Sequence, residues 1–315
     1  MEYLFLLSGI LILVVGGDFL VKSAIGLNNK FKLSPLLIGT TVVSFGTSAP
    51  ELIVSVQATL DGNPGVAIGN VVGSNIANLG LVLGLVVLIR PIVVNHKKYG
   101  LSYLIMFLSA VIFYLVSYNG SISYLEGVFL LLGLVVFLFL SIRWMRILYH
   151  KDISLVKDEV NDDLKLKISN SKILIYFILG SLGLYFGSSL LVRNAVLIAT
   201  DFKVSEFIIG VSVVAIGTSL PELITSLVAI LKGENSISLG NLIGSNIFNV
   251  FAVLGVSSLI DTMPVDQIVI DYDLIIMLGF VLLTGVFMFL TKKITQIHGL
   301  ILVVAYISYL AFSFI

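Results

Sequence analysis

The sequence predicts an all-α membrane protein: ten transmembrane helices arranged as two inverted five-helix repeats, with both termini extracellular. Three observations predict it. Apolar residues make up 58% of the 315-residue chain and charged residues 11%, against about 25% charge in an ordinary soluble domain. Ten stretches are long and apolar enough to cross a bilayer, which takes about 20 such residues per helix. Two polar motifs recur at one fixed distance along the chain. So little charge could not cover a water-facing surface, which excludes a soluble globular domain, and so much apolar residue excludes disorder. The 18 basic and 18 acidic residues cancel, so charge gives no reason to expect nucleic acid as a partner. The surroundings it predicts are the lipid bilayer. With no Cys, disulfides, thiolate metal sites and Cys nucleophiles are excluded.

The ten segments fall at roughly 3–24, 34–59, 66–89, 100–118, 124–143, 173–199, 205–231, 236–259, 272–290 and 297–315. The long polar stretch between the fifth and sixth divides the chain into a first repeat (1–144), a cytoplasmic linker (145–172) and a second repeat (173–315). Glu2 stands where a cleavable signal would carry basic residues, and the apolar run after it is too long for one, so the first segment is expected to stay as a helix. Basic residues set the orientation. Sixteen of the 18 lie in or beside the loops after segments 1, 3, 5, 7 and 9; only Arg193 and Lys203 lie on the other side. Those five loops are therefore expected in the cytoplasm and both termini outside.

The repeat is the strongest organising signal. Residues 38–55, IGTTVVSFGTSAPELIVS, match residues 209–226, IGVSVVAIGTSLPELITS, at 12 of 18 positions; 69–84, GNVVGSNIANLGLVLG, match 240–255, GNLIGSNIFNVFAVLG, at 10 of 16. The offset is 171 in both. Five helices per half is an odd number, so the second half starts from the opposite face, a plan that places binding sites where the halves meet near the midplane.

Glu51 and Glu222 sit in the middle of segments 2 and 7. A carboxylate there costs several kcal/mol unless paired, protonated or holding a cation. No Lys or Arg lies at that depth in segments 2, 3, 7 or 8, which leaves a metal ion or a proton. Each Glu follows a Pro, in Thr47-Ser48-Ala49-Pro50-Glu51 and Thr218-Ser219-Leu220-Pro221-Glu222. Pro removes a helical donor, so the carbonyls of Gly46 and Gly217 are expected to lose their partners and become available to cations.

Spacing gathers further oxygens. Thr47, Glu51 and Ser55 are four apart, as are Thr218, Glu222 and Ser226, Asn70, Ser74 and Asn78, and Asn241, Ser245 and Asn249, so each set forms one helical stripe. Carboxylate, hydroxyl, amide and carbonyl oxygens without nitrogen or sulfur are ligands for hard cations. Ca2+ would balance two ionised Glu, and several Na+ could use the Ser and Asn oxygens. Gly69 and Gly73, with Gly240 and Gly244, are expected to let segments 3 and 8 approach closely and bring Asn78 and Asn249 near the two Glu. Asp18 with Lys22 one turn on suggests a local ion pair. His96, His150 and His298 lie at or near helix ends and are expected to be solvated. Asp158, Glu159, Asp162 and Asp163 lack the spacing of a calcium loop and are expected in a solvated linker.

GTSAPE and GTSLPE, followed by GNVVGSNIAN and GNLIGSNIFN, resemble the two alpha repeats of the cation/Ca2+ exchanger superfamily, and among its branches the prokaryotic Na+/Ca2+ exchangers. The resemblance implies cation sites between helices 2, 3, 7 and 8. Glu51 and Glu222 would hold Ca2+ with the backbone carbonyls of Thr47 and Thr218. Na+ sites would use Ser48 with Ser245, Ser219 with Ser74, and the carbonyls of Ser44 and Ala215; Asn78 and Asn249 would face the centre. Helices 1 and 6 would slide to alternate access. The family exchanges about three Na+ for one Ca2+, which on two carboxylates leaves one net positive charge and makes transport electrogenic. Where this chain has Asn249, some relatives and the K+-dependent branch have Asp, which argues against K+ dependence. The resemblance implies an ion antiporter that is not an enzyme, with no cofactor, transporting Ca2+ and Na+ in the cell (inner) membrane of a prokaryote and functional as a monomer.

Within that class a H+/Ca2+ antiporter would share Glu51 and Glu222, but the Ser and Thr hydroxyls favour Na+. An intramembrane hydrolase could use two carboxylates, yet gives the repeated Asn and Ser no purpose. A membrane scaffold leaves the buried Glu unexplained.

Overall fold

Backbone groups in lipid must be satisfied internally, so apolar spans become helices. The computed structural model describes residues 2–151, 168–202 and 215–313, and all of its long elements are helical. They are α1 (Glu2–Phe31), α2 (Pro35–Thr47) and α3 (Ala49–Leu60), α4 (Pro64–Ile89), α5 (His96–Ser117), α6 (Tyr124–Lys151), α7 (Asn170–Asp201), α8 (Ala215–Thr218), α9 (Leu220–Leu231), α10 (Asn235–Ile260), α11 (Val269–Leu290) and α12 (Gln296–Ser313). Seven of these are long and apolar enough to cross a membrane, eight if α2 and α3 count as one span bent by 43°.

The sequence-based segments need three corrections. Segment 2 is two helices, because Ser48 leaves the helical path. Segment 7 is described only from Ala215, so residues 205–214 lie outside the described residues. α1 runs on to Phe31 and α6 to Lys151, because a helix need not stop where hydropathy falls. The 145–172 linker is therefore helical at both ends, with Ser169 capping α7 by accepting from the Lys172 N–H at 3.4 Å. The linker acids and the His150 side chain lie outside the described residues.

Caps and turns follow local chemistry. Glu126 caps the start of α6: its Oε2 accepts from Ser123 N at 2.7 Å and Oγ at 2.9 Å, one half of a capping box. The α3–α4 and α9–α10 turns are copies of one another. Gly62 and Gly233 take φ of +79° and +82°, and the N–H groups of Asn63 and Glu234 reach back to Ala58 and Ala229 at 2.8 and 2.9 Å, a glycine-terminated helix end.

Burial ranks the helices. In α4 and α10, 72% and 78% of the membrane window is buried, against 22% in α6 and 28% in α7. The motif helices are the core, and the others turn one side to lipid. Two short antiparallel ribbons tie the ends. β1 (Ile92–Val93) pairs with β4 (Lys293–Ile294), and β2 (Ser121–Ile122) pairs with β3 (Met263–Pro264). Each ribbon takes one strand from each half of the sequence. Arg90 Nη1 donates to Ile230 O at 3.2 Å, Lys98 Nζ to Ser236 Oγ at 2.8 Å and Gln296 Nε2 to Leu88 O at 2.9 Å. These bonds gather the loops after α4, α9 and α11 at one end.

α1 and α7 pack at backbone contact. A Cβ on Gly9 would lie 2.9 Å from Leu191 N, on Gly16 2.8 Å from Leu184 N, on Gly180 2.7 Å from Leu20 N and on Gly187 2.8 Å from Leu13 N. Gly240 and Gly244 also serve a close approach, but to a different neighbour than expected. Their Cβ atoms would meet Leu36 O at 3.0 Å and Thr40 O at 2.5 Å, so they seat α10 on α2 rather than on α4. No described atom lies within 4 Å of a Cβ on Gly69 or Gly73.

Asp18 pairs with Lys22 at 2.6 Å, as expected, and also with Lys232 at 2.5 Å. The second bond fastens α1 to the end of α9. These side chains are 24–34% exposed, so Asp18→Asn is expected to cost under about 1 kcal/mol. Thermal unfolding in detergent should show a small loss that fades at 1 M salt; a loss that salt leaves intact would contradict a screened pair. The described His residues are packed rather than solvated. His96 meets the Phe289 ring edge-on, and His298 stacks on Phe287 while its Nδ1 accepts from Thr295 N at 3.1 Å.

Candidate ion-binding site

Two matching breaks build the site. Ser48 has φ −87°, ψ 2° and Ser219 φ −87°, ψ 3°. Pro50 and Pro221 follow within the first turn of α3 and α9, where a missing N–H costs nothing. Each break puts a Glu at a helix N-terminus inside the protein, where the helix dipole favours negative charge. Glu51 and Glu222 are 0% exposed and interact electrostatically.

The motif helices cross between halves. The end of α2 packs on α10, and α8 packs on α4. Thr47 Oγ1 donates to Asn241 Oδ1 at 3.0 Å and lies 3.2 Å from Ser245 Oγ. Ser48 Oγ donates to Glu222 Oε1 at 3.2 Å. Ser74 Oγ and Thr218 Oγ1 share a hydrogen bond at 3.4 Å. The Ser44 carbonyl accepts from Ser48 N at 2.8 Å, and Ala215 opens α8. Thus Thr47, Ser48, Glu222 and Ser245 come together, as do Ser74 and Thr218.

Other expected ligands are used within the protein. Asn70 Nδ2 donates to Ser55 Oγ at 2.9 Å, and Asn241 Nδ2 to Ser226 Oγ at 3.1 Å. These bonds fasten α4 to α3 and α10 to α9. The Gly217 carbonyl is not free as expected: Ser188 Oγ donates to it at 2.7 Å. The position 171 residues before Ser188 is Gly17, which has no hydroxyl to offer Gly46.

What remains is a set of buried polar atoms with no protein partner among the described residues: both carboxylate oxygens of Glu51, Oε2 of Glu222, Oγ of Ser219, the amide of Asn78 and Oδ1 of Asn249. Their residues are 0–1% exposed. Unpaired polar groups this deep are costly, and oxygen donors of this kind suit hard cations. Among the described residues no group of three or more His, Cys, Asp or Glu gathers, so the set is two carboxylates with neutral oxygens around them.

Two features escape the sequence. Asn78–Val82 and Asn249–Leu254 are π-helical turns inside α4 and α10, a distortion often found at functional sites. They pack against the helices that carry Glu222 and Glu51, respectively. Asn75 and Asn246 belong to the network as well; their recurrence in both GSN motifs was the available signal.

The structure is thus an all-helical membrane protein built around a buried, oxygen-lined cluster with two carboxylates. A model of the family described as sodium/calcium exchanger protein matches residues 1–143 and 172–315. CaxA of Alkalimonas amylolytica is 37% identical over 309 residues, covering 97% of this chain and 96% of that one. Sodium/calcium exchanger MaX1 of Methanosarcina acetivorans is 31% identical over 345 residues, covering 99% and 98%. A structure of the sodium-calcium exchanger NCX_Mj, soaked with Na+ and Sr2+, superposes with a TM-score of 0.82 at 31% identity, covering 98% of this chain and 97% of that one. The chain belongs to the sodium/calcium exchanger family, whose members are membrane ion antiporters.

Proposed function

We infer that this protein exchanges Na+ for Ca2+ across the cell membrane, about three for one, by alternating access. One observation carries the reading: three of the four oxygens of a repeated, fully buried Glu pair have no hydrogen-bond partner among the described residues. Glu51 and Glu222 hold Ca2+ with the carbonyls of Thr47 and Thr218. Ser48 with Ser245, Ser219 with Ser74, and the carbonyls of Ser44 and Ala215 serve Na+, while Asn78 and Asn249 face the centre. The ten spans form two inverted repeats, 1–144 and 173–315, joined by the 145–172 linker. The ribbons support that plan. The offset carries β1 onto β3 and, with one residue added, β2 onto β4, and the register Ile92↔Ile294 then becomes Met263↔Ile122, the pair found. Both termini are outside and the monomer is the working unit. The backbone contact of α1 with α7 supports their moving together against the rest.

The test is Ca2+ uptake into proteoliposomes driven by an outward Na+ gradient. Uptake is expected, faster with an inside-positive potential and indifferent to K+. Uptake that follows a pH gradient and ignores Na+ would replace this reading with H+/Ca2+ exchange.

A further inference from the structure

Asn249 is fully buried, and its amide is held from one side. Its Nδ2 donates to Asn75 Oδ1 at 3.1 Å, while its own Oδ1 has no partner among the described residues. Asn75 is in turn fixed by atoms that can only accept. Its Nδ2 donates to the backbone carbonyl of Asn246 at 3.4 Å and faces Met277 Sδ at 3.7 Å. A backbone carbonyl cannot donate, so the NH2 of Asn75 must point to it. The Asn75 oxygen then points to Asn249, and only the NH2 of Asn249 can meet it. Asn249 is left with one face to present, its carbonyl oxygen, which is the face a cation needs. The π-turn that begins at Asn249 packs against the helix carrying Glu51.

The repeat-related amide is not held in this way. Asn246, 171 residues after Asn75, donates to Leu242 O at 2.8 Å, and neither side-chain polar atom of Asn78 has a partner among the described residues. The two central amides therefore differ: one has a fixed orientation and the other does not.

We propose that Asn75 is a positioning residue for cation binding, which acts by locking the Asn249 amide with its oxygen toward the ion. The inference rests on the exchange reading above. Asn75 does not touch the ion. Without it the Asn249 amide can turn and present its NH2 to a positive charge.

Equilibrium 45Ca2+ binding to the detergent-solubilised protein, alongside Na+-driven uptake, tests this. Asn75→Ala and the near-isosteric Asn75→Leu are expected to weaken Ca2+ binding about fivefold, the worth of one net hydrogen bond. The number of sites and the maximal uptake rate should stay near those of the parent. In an Asn249→Ala background neither substitution should weaken binding further. Unchanged affinity in the single variants, a loss of sites at unchanged affinity, or the same fivefold loss without the Asn249 amide would each overturn the proposal. A parent that binds no Ca2+ overturns the exchange reading and this inference together, whereas normal parent binding with unaffected variants overturns this inference alone.

Discussion

Replacing Glu51 or Glu222 by Gln is expected to abolish Na+-driven Ca2+ uptake. Each carboxylate is fully buried, and no Lys or Arg is hydrogen-bonded or ion-paired to either among the described residues. On the exchange reading proposed above, the bound cation supplies the compensating charge. Removing one partner from a buried charge pair costs about 3–5 kcal/mol, which corresponds to about two to four orders of magnitude in affinity. Gln keeps the shape and removes the charge, so the fold should not suffer. Thermal unfolding without ions should occur at the same temperature as in the parent or higher, since an unpaired buried charge has gone. The combination of intact stability with lost transport separates a binding role from a structural one. Full uptake in either variant would remove that Glu from the site.

A second large effect is expected at the α1–α7 contact. Gly16→Val and Gly180→Val would push a side chain into backbone 2.8 and 2.7 Å away. Backbone cannot turn aside as a flexible side chain can, so the helices must separate along their length. Overpacking of this kind costs about 1–3 kcal/mol, and here it would also disturb the pair expected to move during transport. Gly279→Val, in α11, meets no described atom within 4 Å and provides the comparison. Unfolding temperature and uptake should fall in the first two variants and hold in the third. Equal behaviour in all three would mean that the helices do not pack as described.

Much of this was legible because lipid punishes misplaced polar groups. The repeats, the two Glu and the Pro beside each followed from residues that should not be in a membrane without a purpose. The family resemblance named Thr47, Ser48, Ser74, Thr218 and Ser245; the structure brings Thr47 to Ser245 and Ser48 to Glu222, and sets Ser74 against Thr218 rather than the expected Ser219. Which neighbour a face meets was harder to read. Gly240 and Gly244 marked a close approach, but spacing alone does not say whether the partner is α4 or α2. Gly9, Gly16, Gly180 and Gly187 went unnoticed because small residues seven apart are common in apolar helices and only the facing backbone gives them meaning. Lys232 lies 214 residues from Asp18, and a one-turn pairing rule cannot see it. The π-turns at Asn78 and Asn249 are adjustments to packing on neighbouring helices, so local propensity leaves no mark of them.

The crossed ribbons have a consequence for how the chain is made. β1 finds its partner only when β4 has been synthesised, about two hundred residues later. Throughout that interval Ile92 and Val93 must leave their edge open, at a membrane surface where water can occupy it. β2 waits about 140 residues for β3. The ribbon begun first is thus the one completed last, and β4 acts as a late clasp: the first half can enter the bilayer on its own but cannot finish its own ends. Biogenesis should therefore contain an inserted stage with unpaired loops that closes in two steps, β2 on β3 before α11 is made and β1 on β4 after it.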